Sequence, residues 1–231
     1  MGFITTSEFY SGTFGIVKYY TISSMRRGFK PAFLFDFLTP SYDFLVEIGG
    51  YGRAFKRKVI KLLNLIGNER LLDVGSGTGA LLLEARTLFP KLELSGIDPD
   101  PKIVEIAKAR LEHQADLRVG FAQELSFDSN SFDCVVSTLA FYHLYTKDKE
   151  KAAREIYRVL RKGGKFLIAD FGMPKTLFGK LLLHVSKLFE GGENMNAHIE
   201  GKIPDILKSA GFKVQVIATP HRGIHFLLAK K

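Results

Sequence analysis

Short apolar runs alternate with amphipathic stretches along most of the chain. The apolar runs have the length of buried strands, four to six residues, and lie at residues 70–74, 92–97, 117–120, 132–137 and 166–170. The intervening stretches that repeat apolar residues at helical spacing lie at residues 80–89, 103–111 and 149–161. Because strands that alternate with helices pair in parallel, this pattern predicts a doubly wound α/β fold.

The end of the chain departs from this alternation. Residues 203–209 predict a helix that ends near Gly211, and residues 214–218 and 224–229 predict two further strands. The link between these strands, residues 219–223, is too short to hold a crossover helix. The two strands must therefore pair antiparallel if they are neighbours.

The composition is that of an ordinary globular protein, with 46% hydrophobic and 25% charged residues in a chain of 231. We predict a helical N-terminal cap or substrate segment at residues 1–69 and a cofactor-binding domain at residues 70–231, with a lid-like insertion at residues 172–201. A single cysteine, Cys134, excludes an intrachain disulfide and suits a reducing, cytoplasmic setting. The sequence shows neither the pattern of a secretory signal nor an apolar stretch of the ~18 residues that suggest a membrane span.

A glycine-rich turn follows the first predicted strand. Gly75, Gly77 and Gly79 are three glycines in five residues, which lets the backbone turn sharply and approach a ligand closely. The next strand ends at Asp98, nineteen residues after Gly79, where a carboxylate can accept hydrogen bonds from ribose hydroxyls. Together the two features predict a site for an adenosine cofactor.

Two classes of cofactor remain possible on these features. Gly75, Gly77 and Ala80 satisfy the fingerprint of a dinucleotide site, so a nicotinamide dehydrogenase is one candidate. Asp73, two residues before the first glycine, would repel a pyrophosphate and attract a cationic α-amino group. S-adenosylmethionine has such an amino group and no phosphate, so the sequence favours it.

The chain resembles the class I methyltransferases of the ubiquinone and menaquinone biosynthesis type, a methyltransferase type 11 pattern. The resemblance extends from about Tyr42 to Gly211 and is carried by residues 72–79, 96–98, 125–133 and 158–164. It implies a Rossmann-like, seven-stranded sheet with the last strand antiparallel. It also implies that S-adenosylmethionine binds over the first two strands and that variable flanking segments hold the substrate.

The resemblance also implies a set of cofactor-binding residues. They are Tyr42, Arg53, Asp73, Gly75, Ser76, Gly77, Gly79, Asp98, Pro99, Phe121, Ala122, Gln123 and Leu139. Asp73 would face the methionine end and Asp98 the ribose. Phe121 stands where the family often has an acid, and it either stacks on adenine or packs in the core. Tyr42 and Arg53 either reach the cofactor carboxylate or lie at the surface.

His143 is the candidate catalytic residue, because it follows the fourth strand, where the family often carries a histidine. It would act as a base or orient the acceptor, and the alternative is a packed histidine without a chemical role. Cysteine clusters and histidine pairs at ligand spacing are absent from the sequence, so we expect no metal.

The net charge of +9 is unevenly distributed. Residues 1–70 carry ten basic and five acidic residues, residues 71–170 fourteen and fifteen, and residues 171–231 nine and four. The basic flanks also hold the phenylalanines of residues 29–37 and an amphipathic stretch at residues 175–189, which is a lid, a dimer contact, an internal packing element or a membrane-surface helix. These features suggest a small, lipophilic acceptor and peripheral contact with an anionic membrane.

Other functions remain open at this point. A methyltransferase acting on RNA or protein is one alternative, although the sequence lacks an RNA-recognition motif and we expect no nucleic-acid partner. A non-catalytic module that only binds the cofactor is another. The sequence leaves the methyl acceptor and the oligomeric state undetermined.

The basic flanks generate a prediction about membranes. Each basic residue near an anionic surface contributes about 1 kcal/mol, and salt screens the attraction. In vesicle sedimentation, we expect the protein to bind anionic but not neutral lipid, and less so at high salt or after Lys180→Glu with Lys187→Glu. A wild-type protein that ignores anionic vesicles at low salt would contradict this prediction.

Overall fold

The computed structural model of the protein describes residues 51–171, 201–221 and 223–231. All of these residues belong to one compact unit, Thr39–Lys231. Tyr42, the rest of residues 1–50 and residues 172–200 of the predicted insertion lie outside the described residues. The division into a cap, a cofactor domain and a lid therefore stays a prediction.

Helices and strands alternate in the described ranges as the apolar pattern predicts. The helices are α1 (Arg53–Leu63), α2 (Ala80–Leu88), α3 (Pro101–Arg110), α4 (Thr146–Val159) and α5 (Ile203–Ser209). The strands are β1 (Arg70–Val74), β2 (Glu93–Asp98), β3 (Asp116–Val119), β4 (Phe132–Thr138), β5 (Leu160–Phe171), β6 (Lys213–His221) and β7 (Ile224–Lys230). One turn of 3-10 helix, Phe141–His143, lies between β4 and α4.

The described strands form a seven-stranded sheet in the order β3-β2-β1-β4-β5-β7-β6. Strands β1 to β5 pair in parallel, and β7 runs antiparallel to both β5 and β6. This confirms the predicted Rossmann-like α/β fold with an antiparallel last strand. The strand order reverses between β1 and β4, so the carboxyl ends of these strands are the expected place for a ligand.

The largest difference from the sequence pattern is at the start of β5. The strand begins at Leu160, six residues before the predicted run, and includes Gly163 and Gly164, which lie between the predicted helix and the predicted strand. Leu160 pairs with Phe132 of β4, and the register shifts before Cys134 pairs with Lys165. Within this irregularity, Gly163 N donates to Lys231 O at 3.1 Å and Lys231 N donates to Gly164 O at 3.0 Å. Pairing with residues distant in sequence therefore extends the strand, and Gly163, with a φ of 78°, keeps a left-handed conformation within the irregularity.

Apolar side chains cover both faces of the sheet, because successive strand residues point to opposite sides. On one face, Leu72 and Val135 lie in a core cluster with residues of α4 and α5. On the other, Leu71 and Cys134 lie in a cluster with residues of α1, α2 and α3. The cysteine is thus a buried strand residue, as predicted. None of the helices in the described ranges is long and apolar enough to cross a membrane.

The two-faced core makes stability sensitive to the central strands. Leu72 is 0% exposed, so Leu72→Ala should lower the free energy of unfolding by about 2–5 kcal/mol through lost burial and a cavity. Ile66 is 84% exposed, and Ile66→Ala should change it by less than about 0.5 kcal/mol. Urea unfolding monitored by circular dichroism measures both, and equal effects would contradict this packing.

Candidate active site

The segments after β1, β2, β3 and β4 contain most of the residues that the sequence analysis assigned to the cofactor site. The glycine turn follows β1, Asp98 ends β2, and residues 121–123 follow β3. Leu139 and His143 follow β4. Because the carboxyl ends of parallel strands lie at one edge of the sheet, the fold brings these segments to the same edge.

The glycine turn has a backbone that only glycine adopts easily. Gly75, Gly77 and Gly79 have φ values of 79°, 51° and 73°, in the left-handed region. A Cβ at Gly75 would lie 2.4 Å from the Ala140 Cβ, whereas a Cβ at Gly77 would have no atom within 4 Å. The turn is therefore packed tightly on the segment after β4 at its start and is open at Gly77, as a cradle for a ligand requires.

Asp73 is a buried carboxyl group directly before this turn. It is 1% exposed, and its Oδ1 has no hydrogen-bond partner among the described residues. Burial, followed by the nearby charge of Asp98, raises the pKa of Asp73 well above its usual range. A buried carboxylate oxygen without a hydrogen bond is costly, and a cationic donor such as the cofactor's α-amino group would satisfy Oδ1.

Asp98 is held by the backbone on both oxygens. Its Oδ2 accepts from Gly77 N and its Oδ1 accepts from Asp100 N, both at 3.0 Å. Burial raises the pKa of Asp98 to about 6, against the lowering effect of these two backbone donors. Each carboxylate oxygen has a second lone pair, so Asp98 can also accept from ribose hydroxyls. Pro99, the next residue, is half-buried.

The segment after β3 contains a second unsatisfied acceptor. Phe121, Ala122 and Gln123 are half-buried, and Gln123 Oε1 is buried without a hydrogen-bond partner. The described residues contain one other such side-chain atom, Asp133 Oδ1, which lies 2.6 Å from Arg161 Nε in an ion pair. The two acceptors without a charged partner thus both belong to predicted cofactor-binding residues. Gln123 suits an amino donor such as that of adenine, so the residues present fit S-adenosylmethionine.

Arg53 and Ser76 have structural contacts of their own. Arg53 Nε donates to Glu84 Oε2 at 2.9 Å, so its guanidinium is held on α2, the helix that follows the glycine turn. Ser76 is 8% exposed, and its backbone N donates to Ile97 O at 3.1 Å. The cofactor contacts of both residues stay predictions.

His143 lies in the 3-10 turn after β4, beside Tyr142. The two ring centroids are 3.8 Å apart, with an interplanar angle of 35°. The His143 side chain keeps access to solvent, but desolvation by the surrounding protein and then the charge of Lys149 lower its pKa to about 4. The imidazole is therefore neutral at neutral pH and can accept a hydrogen bond.

Comparison with known proteins decides the family. A family model described as a methyltransferase domain matches residues 72–168. The ubiquinone/menaquinone biosynthesis C-methyltransferase of Geotalea daltonii is 31% identical over 167 residues, which cover 69% of this chain and 70% of the relative. The demethylmenaquinone methyltransferase of Thermotoga maritima is 33% identical over 145 residues, which cover 62% of each chain.

The chain belongs to the class I S-adenosylmethionine-dependent methyltransferases of the ubiquinone/menaquinone type. This confirms the predicted enzyme class and cofactor and removes the nicotinamide alternative. The fold also matches phosphoethanolamine N-methyltransferase 2 of Haemonchus contortus in complex with S-adenosyl-L-methionine, with a TM-score of 0.62 and 22% identity over 78% of this chain and 53% of that chain.

The structure shows two buried charged residues near the site of the methyltransferase that were not predicted from the sequence. Asp170, near the end of β5, is 2% exposed, and Lys149, in α4, is 0% exposed. Lys149 lies on the apolar face of its helix with Ala152, Ala153 and Ile156. This helical spacing could have indicated from the sequence that the lysine is buried. Asp170 follows an apolar strand run, as Asp98 does. An acidic residue at the end of a buried strand could therefore have been recognised as a candidate site residue from the sequence.

The unpaired carboxyl group of Asp73 predicts opposite effects on binding and stability. Because burial raises its pKa, its contribution to stability is lost as the pH rises through that pKa. Asp73→Asn should therefore raise Tm, more at pH 8 than at pH 5. It should also weaken S-adenosylhomocysteine binding by about ten- to hundredfold, the range for a hydrogen bond to a charged group. Calorimetry and thermal unfolding measure the two effects.

Asp133 provides the matched control, since its buried carboxylate is paired with Arg161 and accepts from Arg70 N at 2.6 Å. Asp133→Asn should lower Tm and leave the affinity for S-adenosylhomocysteine unchanged. Unaltered binding by Asp73→Asn would remove Asp73 from the cofactor site.

Proposed function

We propose that this methyltransferase methylates a ring carbon of a hydroquinone-type acceptor. The names of the similar proteins support this, because they are C-methyltransferases of ubiquinone and menaquinone biosynthesis and demethylmenaquinone methyltransferases. A quinol with a lipid tail dissolves in membranes, which agrees with the lipophilic acceptor and the peripheral membrane contact predicted from the flanks.

An aromatic wall at the ends of β4 and β5 is the structural observation that carries the proposal. The wall consists of Tyr51, Tyr142, His143 and Phe171, none of which is fully buried. The Phe171 ring contacts Tyr142 edge to face at 5.1 Å and Tyr51 edge to face at 6.3 Å between centroids. Incompletely buried rings next to the segment that packs on the glycine turn suit a flat, apolar acceptor ring.

The proposed chemistry requires positioning above all. When bound, S-adenosylmethionine would supply a methyl group on a sulfonium, so that the bond from the ring carbon to the methyl group forms as the sulfur–methyl bond breaks, S-adenosylhomocysteine leaves, and the proton of that ring carbon is lost to solvent. The aromatic wall would hold the acceptor ring, and neutral His143 would accept a hydrogen bond from a ring hydroxyl. We propose that His143 orients the hydroxyl through this hydrogen bond and is not a general base.

Transfer of a radiolabelled methyl group tests the acceptor. We expect label from S-adenosylmethionine to enter a reduced naphthoquinone that lacks its ring methyl group, with no label entering total RNA or denatured protein. Mass spectrometry of the product should place the methyl group on a ring carbon. Labelling of RNA or protein but not of the quinol would contradict the proposal.

Two variants of His143 test its part in this reaction. Loss of one neutral hydrogen bond, about 0.5–1.5 kcal/mol, predicts that His143→Ala lowers kcat about two- to tenfold. Removal of a general base would instead lower it by about 10²- to 10⁴-fold. His143→Gln keeps an acceptor oxygen and should retain more activity than His143→Ala, whereas equal, large losses in both variants would indicate a base.

A further inference from the structure

The segment between β4 and α4 has little hydrogen bonding of its own. Within its 3-10 turn, His143 N donates to Ala140 O and Leu144 N donates to Phe141 O, both at 3.2 Å. Bonds of this type have poorer geometry than those of an α-helix, so a single turn is weak by itself. Leu139, which opens the segment, has a φ of 51°, a backbone conformation that disfavours a side chain. The segment therefore needs support from other elements.

Asp170 supports the amino end of this turn. Its Oδ2 accepts from Tyr142 N at 2.9 Å, and its carboxylate also accepts from the backbone of Phe141. Its Oδ1 accepts from Phe171 N at 2.8 Å. A carboxylate beside backbone N–H groups at the start of a helical turn is favourable in both charge and geometry.

Lys149 supports the carboxyl end of the same turn. Its buried Nζ donates to the backbone oxygens of Leu144 and, at 3.5 Å, Tyr142. Its backbone N also donates to Tyr145 O at 2.9 Å, which ties the start of α4 to the segment. A cation beside the free carbonyls of a helical turn complements the carboxylate at the other end.

Burial of these two charges is costly. Desolvation raises the pKa of Asp170 to about 7 and lowers that of Lys149 to about 8, and their mutual attraction offsets part of each effect. Apolar residues of similar volume in place of both members of a buried pair of opposite charges often leave stability unchanged or increase it, whereas loss of one member alone is destabilising. Stability alone therefore does not account for a fully buried lysine on the apolar face of α4.

The supported segment links the two halves of the site. Its start packs on the glycine turn, where a Cβ at Gly75 would overlap that of Ala140. Its centre carries the neighbouring rings of Tyr142 and His143. A shift of the segment would therefore move the aromatic wall relative to the cofactor turn.

We propose that Lys149 and Asp170 are positioning residues of the methyltransferase, which clamp residues 139–145 from both ends and thereby hold Tyr142 and His143 beside the glycine turn. The effect on the acceptor rests on the proposed function, whereas the effect on the segment does not. Neither residue needs to contact the reacting atoms, because both act through the backbone of the segment.

Lys149→Met tests the clamp, because it keeps an unbranched side chain of similar length and removes the ammonium group. Lys151→Met, at an exposed position of the same helix, is the matched control. Hydrogen exchange of the full chain should show at least tenfold faster exchange of the Phe141 and Tyr142 amides in Lys149→Met than in wild type or the control. The affinity for S-adenosylhomocysteine should stay within about twofold.

The kinetics separate positioning from a merely structural role. With the reduced naphthoquinone as acceptor, Lys149→Met should lower kcat about tenfold or more and leave KM for S-adenosylmethionine within about twofold. If the wild type does not methylate this quinol, the proposed acceptor is wrong, and the exchange data still decide the clamp. Wild-type exchange in Lys149→Met, or the same acceleration in Lys151→Met, would overturn it.

Asp170→Asn provides an independent second variant, because it keeps the size of the side chain and one acceptor oxygen. It should accelerate exchange of the Tyr142 amide and lower kcat, again with little effect on S-adenosylhomocysteine binding. If circular dichroism shows that both variants fail to fold, the two residues support the whole fold and the positioning proposal is overturned.

Discussion

Burial of carboxyl groups at the carboxyl ends of parallel strands is the constraint on which this site depends. Asp73, Asp98 and Asp170 all lose hydration there, and burial raises the pKa of each. Backbone N–H groups compensate Asp98 and Asp170, whereas Asp73 Oδ1 has no partner among the described residues. The three carboxyl groups therefore differ in role. Asp98 and Asp170 hold backbone segments in place, whereas Asp73 Oδ1 remains available for a cationic ligand.

Helix α4 supports the loops of the site through hydrogen bonds near both of its ends. Near its start, Lys149 binds the backbone of the segment that carries His143. Near its end, Arg158 donates to Phe127 O at 2.8 Å and to Leu125 O at 2.9 Å, in the loop that follows residues 121–123. The apolar face of α4 also packs on the sheet. Both loops are therefore anchored to the same well-packed helix. Such support suits a reaction in which positioning provides much of the catalysis.

Stability and function make opposite demands on several of these positions. The left-handed Leu139, the unpaired Asp73 and the buried Lys149 each carry a cost that a more regular or apolar structure would avoid. Asp73 and Leu139 lie near the carboxyl ends of β1 and β4, and Lys149 contacts the segment that follows β4. The large apolar clusters on both faces of the sheet offset these costs, so the strained and charged groups are tolerated where ligands are expected to bind.

The sequence by itself determined the order of strands and helices, the antiparallel last pair, the glycine turn and the family. These features are local, because periodicity and turn chemistry need only nearby residues. The tertiary structure decided where β5 begins, since Leu160 pairs with Phe132 of β4. It also decided that Asp98 is satisfied while Asp73 is not, and that Lys149 clamps the segment that carries His143. These properties depend on burial and on partners from distant parts of the chain. A local sequence pattern contains no information about either.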